Sequence, residues 1–185
     1  MDGFIRTRLL EIHMDRGDVG QFLPNGTLQI IDRVKNIFKL SQGEYLAPEK
    51  IEQMIANRFI QQSVVHGDSL ESFAVAIITP EPEAVLDWQV FWQVSYLFRA
   101  KENGLGSLAY EDLLNSSKLK KFLIDLIAST GKAAGLFGFE IPRDIHLTST
   151  VMTPENGLLT PTLKTKRHVI RKVYETEIDR MYKRK

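Results

Sequence analysis

The sequence predicts an α+β fold, with helices packed on a small mixed β-sheet. Residues Phe73–Thr79 are almost wholly apolar, which is typical of a central strand covered on both faces. Between Leu119 and Ile127 the apolar residues recur at helical spacing, which indicates an amphipathic helix. Because 43% of the 185 residues are hydrophobic, the chain can bury a core of its own.

The first third of the chain is expected to form two β-hairpins. Val19–Leu23 and Thr27–Asp32 flank Pro24-Asn25-Gly26, a turn signal because Asn and Gly tolerate a positive φ. A second pair of strands is separated by the polar turn Ser41-Gln42-Gly43. These two strands are predicted over Asn36–Leu40 and Glu44–Leu46.

A helix, two strands and a second helix are predicted in the middle of the chain. The first helix should begin at Pro48, because proline suits the first helical position and Glu49 then lies near the positive helix end. Its predicted apolar face consists of Ile51, Met54, Ile55 and Phe59. The strands Ser63–His66 and Phe73–Thr79 follow, and Pro80 should end the second strand before another helix starts.

The last third is predicted to contain two helices, a short strand and a loop rich in turns. The helix that includes Leu119 should end near Gly131 or Gly135. A strand around Asp144–Thr148 leads into the loop Thr153–Thr162. The predicted closing helix has an apolar face made of Ile170, Val173, Tyr174, Ile178, Met181 and Tyr182.

Composition excludes several classes of function. The formal net charge of +1 points to no polyanionic partner, and the basic tail at 180–185 is explained by cations at a helix end, so no nucleic-acid partner is expected. The chain has no cysteine and its four histidines lack metal-ligand spacing, so no metal site is predicted. No run approaches the ~20 apolar residues of a spanning helix and no signal peptide is recognisable, so we expect a soluble chain.

Two segments resemble the long-chain branch of the acyl-adenylate-forming ligases. Residues 17–52 read GDVGQFLPNGTLQIIDRVKNIFKLSQGEYLAPEKIE, with a GD turn, a D-R-x-K hinge and a K-L-x-x-G-E-Y run in that order. Residues 135–167 read GLFGFEIPRDIHLTSTVMTPENGLLTPTLKTKR. The chain is thus similar to the C-terminal lid region of a long-chain acyl-CoA synthetase. By this resemblance, residues 1–33 are the terminal β segment of an N-terminal adenylate-forming domain, which would supply the hairpins, and 34–185 are the lid domain.

The resemblance implies an activity in two steps. A fatty-acid carboxylate attacks the α-phosphate of ATP, with Mg²⁺ as cofactor, and the thiol of coenzyme A then displaces AMP. Asp18 matches an aspartate that binds the ribose hydroxyls, although a turn aspartate bonded to local amides is the alternative. Arg33 matches an arginine that contacts the nucleotide, or it is a surface arginine paired with a carboxylate. Lys35 matches the hinge about which the lid rotates.

Three further residues match functional positions of the family. Lys39 and Gly43 lie in the hairpin presented to the active site during thioester formation, where Gly43 would let the backbone approach the pantetheine arm, unless it is an ordinary hairpin glycine. Lys164, three residues before Arg167, matches the adenylation lysine, whose ammonium stabilises charge on the α-phosphate and carboxylate. The alternative is a solvated lysine in a basic run. Lys166 has the wrong spacing to Arg167.

Parts of the family pattern are absent from this sequence. The phosphate loop, the fatty-acid tunnel and the metal-binding glutamate belong to the N-terminal domain, so the 185-residue chain alone is predicted to be inactive. Segments 8–16 and 89–98 interrupt the pattern, either as surface insertions or as errors in the gene model. The resemblance also implies a location at the cytosolic face of the endoplasmic reticulum, at a peroxisome or at another membrane.

Two other functions stay open at this point. The chain could be the lid of another adenylate-forming ligase, such as a coumarate-ligase-like or peptide-synthetase-like member. The run TPTLKTKR favours the long-chain branch, because other relatives usually have a glycine before the lysine. Alternatively, the chain could be a non-catalytic module that binds a nucleotide or coenzyme A.

Overall fold

Two short hairpins precede the main sheet. In the computed structural model, which describes residues 18–33, 36–88 and 109–183, β1 (Asp18–Phe22) pairs antiparallel with β2 (Leu28–Arg33). Next, β3 (Phe38–Lys39) pairs antiparallel with β4 (Tyr45–Leu46). The turns contain Gly26 and Gly43 with φ values of 81° and 91°, so both predicted hairpins are confirmed.

Helix α1 (Pro48–Ile55) begins at the predicted proline but is shorter than its predicted apolar face. Asn57 ends it, because its side-chain amide donates to the Ile55 carbonyl at 3.0 Å and its oxygen accepts from the Phe59 N–H at 2.9 Å. The prediction that Phe59 lies on the helix is therefore wrong. Phe59 is buried from the turn that follows, where its ring meets Phe122 edge-on at 5.0 Å.

The main sheet has three strands in the order β5 (Ile60–His66), β6 (Val75–Pro80) and β7 (Asp144–Leu147). Strand β6 is antiparallel to β5 and parallel to β7, which makes the sheet mixed as predicted. Every residue of β6 is buried, as expected for an apolar central strand. The chain between β6 and β7 includes the helices α2 (82–88), α3 (Tyr110–Leu114) and α4 (Ser117–Ala133).

The two faces of the sheet carry separate cores. Ala76 and Ile78 of β6 belong to a core that includes buried residues of α1 and α4. Val75 and Ile77 belong to a second core, with α5 (Arg167–Val173) and α6 (Glu175–Tyr182). The alternation follows from the two-residue period of side chains along a strand. The result is three layers, with the sheet between helices α1 to α4 on one face and helices α5 and α6 on the other, which confirms the predicted α+β class.

The prediction of one closing helix is wrong, because α5 and α6 are separate helices that meet at Tyr174. Tyr174 has φ −105° and ψ 24° and is buried, with its hydroxyl 3.3 Å from Thr148 Oγ1. Val173, which was predicted on the apolar face, is 58% exposed. The helical spacing runs through this break, so periodicity alone could not reveal it.

Two predictions concern parts of the chain that are not described. Segments 8–16 and 89–98 lie outside the described residues, and the division of the chain at residue 33 stays a prediction. Across residues 18–33, 36–88 and 109–183, no helix has the length and hydrophobicity needed to cross a membrane.

Candidate functional site

Lys164 lies in a short loop that leads into α5. Leu158 anchors one side of the loop in the core, and an antiparallel bridge joins Leu159 to Thr165. The Thr160 N–H donates to the Lys164 carbonyl at 2.8 Å, while the Lys164 N–H donates to Thr160 Oγ1 at 3.0 Å. The backbone of Lys164 is therefore held from both sides, and the residue is exposed.

The residue before Lys164 has an unusual conformation. Leu163 has a φ of 60°, and its N–H donates to the Thr160 carbonyl at 2.9 Å. This left-handed conformation suits glycine and costs a residue with a Cβ free energy. No ion pair of the described residues involves the Lys164 ammonium, which leaves it available for an anionic ligand.

Two side-chain amides fix the segment that precedes the loop. Gln62 of β5 binds the backbone of Met152 on both sides, accepting from its N–H at 2.6 Å and donating to its carbonyl at 3.0 Å. Asn156 accepts from the Thr153 N–H at 3.0 Å and donates to the Val151 carbonyl at 2.8 Å. The turn-rich loop is thus held by specific hydrogen bonds rather than by secondary structure alone.

The other end of the loop is anchored by an ion pair. Arg167, the first residue of α5, makes two parallel hydrogen bonds to Glu52 of α1, at 2.8 Å from Nη1 to Oε1 and 2.9 Å from Nη2 to Oε2. The side chains are only 12% and 14% exposed. Glu52 Oε1 also accepts from the Val65 N–H at 2.7 Å. Glu52 is not among the site residues predicted from the sequence, although it is the last residue of the A-P-E-K-I-E run.

The β3–β4 hairpin places Lys39 and Gly43 at the surface. The Lys39 ammonium lies 5.7 Å from the centre of the Tyr45 ring across the hairpin. A Cβ at Gly43 would have no atom within 4 Å, so the backbone at this turn is open to a ligand. The turn also contacts the segment between β5 and β6, since Gln42 Nε2 donates to the Ser72 carbonyl at 3.0 Å.

The structure brings Asp18 and Arg33 together, because they are directly paired at the end of the β1–β2 ladder. The pairing places the backbones of the two residues side by side. Lys35 lies outside the described residues, so its role as a hinge stays a prediction. Lys164 belongs to a different loop from both hairpins. The candidate residues therefore form three separate groups on one scaffold.

The chain matches known proteins over most of its length but spans about a fifth of theirs. No protein-family model matches it. It is 44% identical over 167 residues to long-chain-fatty-acid–CoA ligase 6 of Homo sapiens, which covers 90% of this chain and 22% of that protein. It is also 44% identical over 167 residues to ligase 5 of Rattus norvegicus, covering 90% and 23%. These matches confirm the resemblance predicted from the two motif-bearing segments.

A solved structure has a similar fold. The adenylation domain of carboxylic acid reductase from Segniliparus rugosus, in complex with AMP and a co-purified carboxylic acid, superposes with a TM-score of 0.70 and 27% identity. The match covers 90% of this chain and 22% of that one. The arrangement of helices and strands described above therefore occurs in an enzyme domain whose structure contains AMP.

Proposed function

We propose that this chain, a homologue of the C-terminal part of long-chain-fatty-acid–CoA ligases, is the lid of an ATP-dependent ligase that joins a fatty acid to coenzyme A. The observation that carries the proposal is the Lys164 loop. Its backbone is held by hydrogen bonds, while the exposed ammonium has no ion pair among the described residues. A cation presented in this way can enter a site formed with another domain.

In the first half-reaction, the fatty-acid carboxylate attacks the α-phosphate of ATP and pyrophosphate leaves. Negative charge builds up on the phosphoryl and carboxylate oxygens, and the Lys164 ammonium would stabilise it. Asp18 would bind the ribose and Arg33 the nucleotide, which their direct pairing in the β1–β2 ladder supports. Mg²⁺ would accompany ATP and be held by residues of the N-terminal adenylate-forming domain.

In the second half-reaction, the thiol of coenzyme A displaces AMP from the acyl adenylate. The lid would rotate about Lys35 and present the β3–β4 hairpin in place of Lys164. The positive φ and open surroundings of Gly43 suit close approach by the pantetheine arm. Because long-chain fatty acids partition into lipid, location at the surface of an internal membrane is part of the same proposal.

A chimera would test the proposal directly. The matching segment of human ligase 6 is replaced by this chain, and both half-reactions are measured with palmitate. The chimera should catalyse ATP–pyrophosphate exchange, and Lys164→Ala should lower that rate by about 10²-fold or more. Formation of palmitoyl-CoA from preformed palmitoyl adenylate should change less than about twofold, since Lys164 leaves the site before that step.

Lys166→Ala is the matched control, because it removes a neighbouring cation of the same loop. If both lysine variants lose exchange equally, Lys164 has no special role and the proposal fails. For the 185-residue chain alone we expect no acyl-CoA from ATP, palmitate and coenzyme A. Tight binding of AMP or coenzyme A by that chain would instead support a binding module.

A further inference from the structure

An ion pair joins helix α1 to the end of the Lys164 loop. Glu52 and Arg167 are 115 residues apart in sequence, yet both oxygens of the carboxylate accept from the guanidinium. The same guanidinium approaches the Val65 carbonyl at 3.4 Å, and Glu52 accepts from the Val65 N–H. The pair is thus also hydrogen-bonded to the backbone near the end of strand β5.

A buried ion pair of this kind contributes little to the free energy of folding. Removing two charges from water costs free energy that their attraction often fails to recover. Here burial raises the pKa of the Glu52 carboxyl above its usual 4.5, more strongly than the hydrogen bond and charge of Arg167 lower it. A purely structural contact at this place could be made more favourably by apolar side chains.

We infer that Glu52 and Arg167 are positioning residues, which hold the Lys164 loop in the geometry that adenylation requires. The inference rests on the proposed function. Arg167 follows Lys164 by three residues, and the Lys166 N–H between them donates to the Leu158 carbonyl at 2.9 Å. Holding the Arg167 guanidinium in place therefore restricts the backbone of residues 164–166, which includes Lys164.

The physical basis is geometric. A displacement of about 1 Å at a reacting group can cost about 10²-fold in rate. Without the Glu52 carboxylate, the positive charge of the Arg167 guanidinium would also be less compensated, and it could attract ATP phosphates into an unproductive position. The Glu52–Arg167 pair acts against both effects, whereas the β3–β4 hairpin is held by contacts of its own and should not depend on it.

The same helix supplies a matched control pair. Lys50 of α1 lies 3.1 Å from Glu140, whose side chain is 6% exposed. Glu140 also accepts from the Phe137 N–H at 2.8 Å. This second partly buried pair starts two residues from Glu52 but ties α1 to the segment after α4, rather than to the Lys164 loop. If breaking an ion pair of α1 acts only by lowering the stability of the chain, then substitutions in the two pairs should change the two half-reactions in the same way.

The test measures both half-reactions in the chimera with human ligase 6. Glu52→Gln keeps an oxygen for the Val65 N–H but removes the charge. We expect it to lower the kcat of ATP–pyrophosphate exchange by about 10-fold or more, with thioester formation from preformed adenylate changed less than about twofold. Arg167→Lys, which cannot form the two parallel bonds, should show the same split. Glu140→Gln should affect the two half-reactions equally.

Equal loss of both half-reactions in Glu52→Gln, or the same selective loss in Glu140→Gln, would overturn the inference. If the unmodified chimera is inactive, or Lys164→Ala has no effect, the proposed function is what fails. Hydrogen exchange of the 185-residue chain then decides the positioning role separately. Glu52→Gln should speed exchange at the amides of Lys164 and Lys166 by about 10-fold while α4 is unchanged; unaltered exchange in the loop would refute it.

Discussion

At Leu163 the conformation of the backbone conflicts with the residue type. Its φ of 60° lies in the region that costs residues with a Cβ about 1–2 kcal/mol, and its side chain is 69% exposed, so burial offers little compensation. We expect Leu163→Gly to raise the free energy of unfolding by about 1 kcal/mol. Leu163→Ala keeps the Cβ and should bring no gain. Urea denaturation compares the two; equal stabilisation would argue against backbone strain.

His146 predicts how stability should change with pH. Burial lowers the pKa of its imidazole below the usual 6.5, Lys120 and Arg180 act in the same direction, and Glu177 opposes them. The unfolded chain therefore binds this proton more tightly, and the stability gained from the neutral ring is present above pH 6.5 and lost as the pH falls through the lowered folded pKa.

The measurement is the thermal midpoint of unfolding between about pH 7.5 and about pH 5. His146→Gln should flatten its pH dependence, because glutamine does not titrate. His168→Gln, which makes the same replacement at an exposed site in α5, controls for the substitution itself. If the thermal midpoint of the His146 variant depends on pH as strongly as that of the unmodified chain, then other groups cause the dependence.

At the scale of the elements, the β3–β4 hairpin can pack against the end of β5 only because Gly67, the next residue, has no side chain. A Cβ at Gly67, which follows β5, would lie 2.8 Å from Leu46 Cδ1 and 3.0 Å from Phe38 Cβ. Gly67→Ala should therefore destabilise the chain by about 1–3 kcal/mol through overpacking. It should also speed hydrogen exchange in the hairpin more than in α4.

Gly138→Ala is the control for this prediction. A Cβ at Gly138 would have no atom within 4 Å and the residue has no positive φ, so the substitution should change little. If Gly67→Ala is equally harmless in denaturant unfolding, then the hairpin can move away from β5 without cost.

For the whole molecule, the two cores share one central strand. Ile77 and Ile78 are neighbours on β6, are 1% and 0% exposed, and face opposite cores. Replacing either by alanine should lower the free energy of unfolding by about 2–5 kcal/mol. Both variants should keep a single transition, because neither layer of helices can retain its core without β6.

Circular dichroism and tryptophan fluorescence would follow that transition in parallel. Leu70→Ala, at a side chain that is 81% exposed, should have a much smaller effect and serves as the control. Two separated transitions in either isoleucine variant would show that the layers unfold independently.

Local chemistry was enough to predict most elements from the sequence. Gly26 and Gly43 supply the positive φ that the two hairpin turns need, and Pro48 supplies the start of α1. The break at Tyr174 was missed because helical spacing continues through it. A contact between Tyr174 and Thr148, the residue directly after β7, accompanies that break, and the two residues are 26 positions apart in sequence.

The sequence by itself determined the family resemblance and the position of Lys164, because ordered motifs of fixed spacing are local properties of the chain. Only the tertiary structure decided that Arg167 meets Glu52, and that the Lys164 ammonium has no ion pair among the described residues. The physical reason is that periodicity shows which face of an element is apolar, but not which faces meet. Those pairings follow from the register and order of the three strands, which place two motifs 115 residues apart in direct contact.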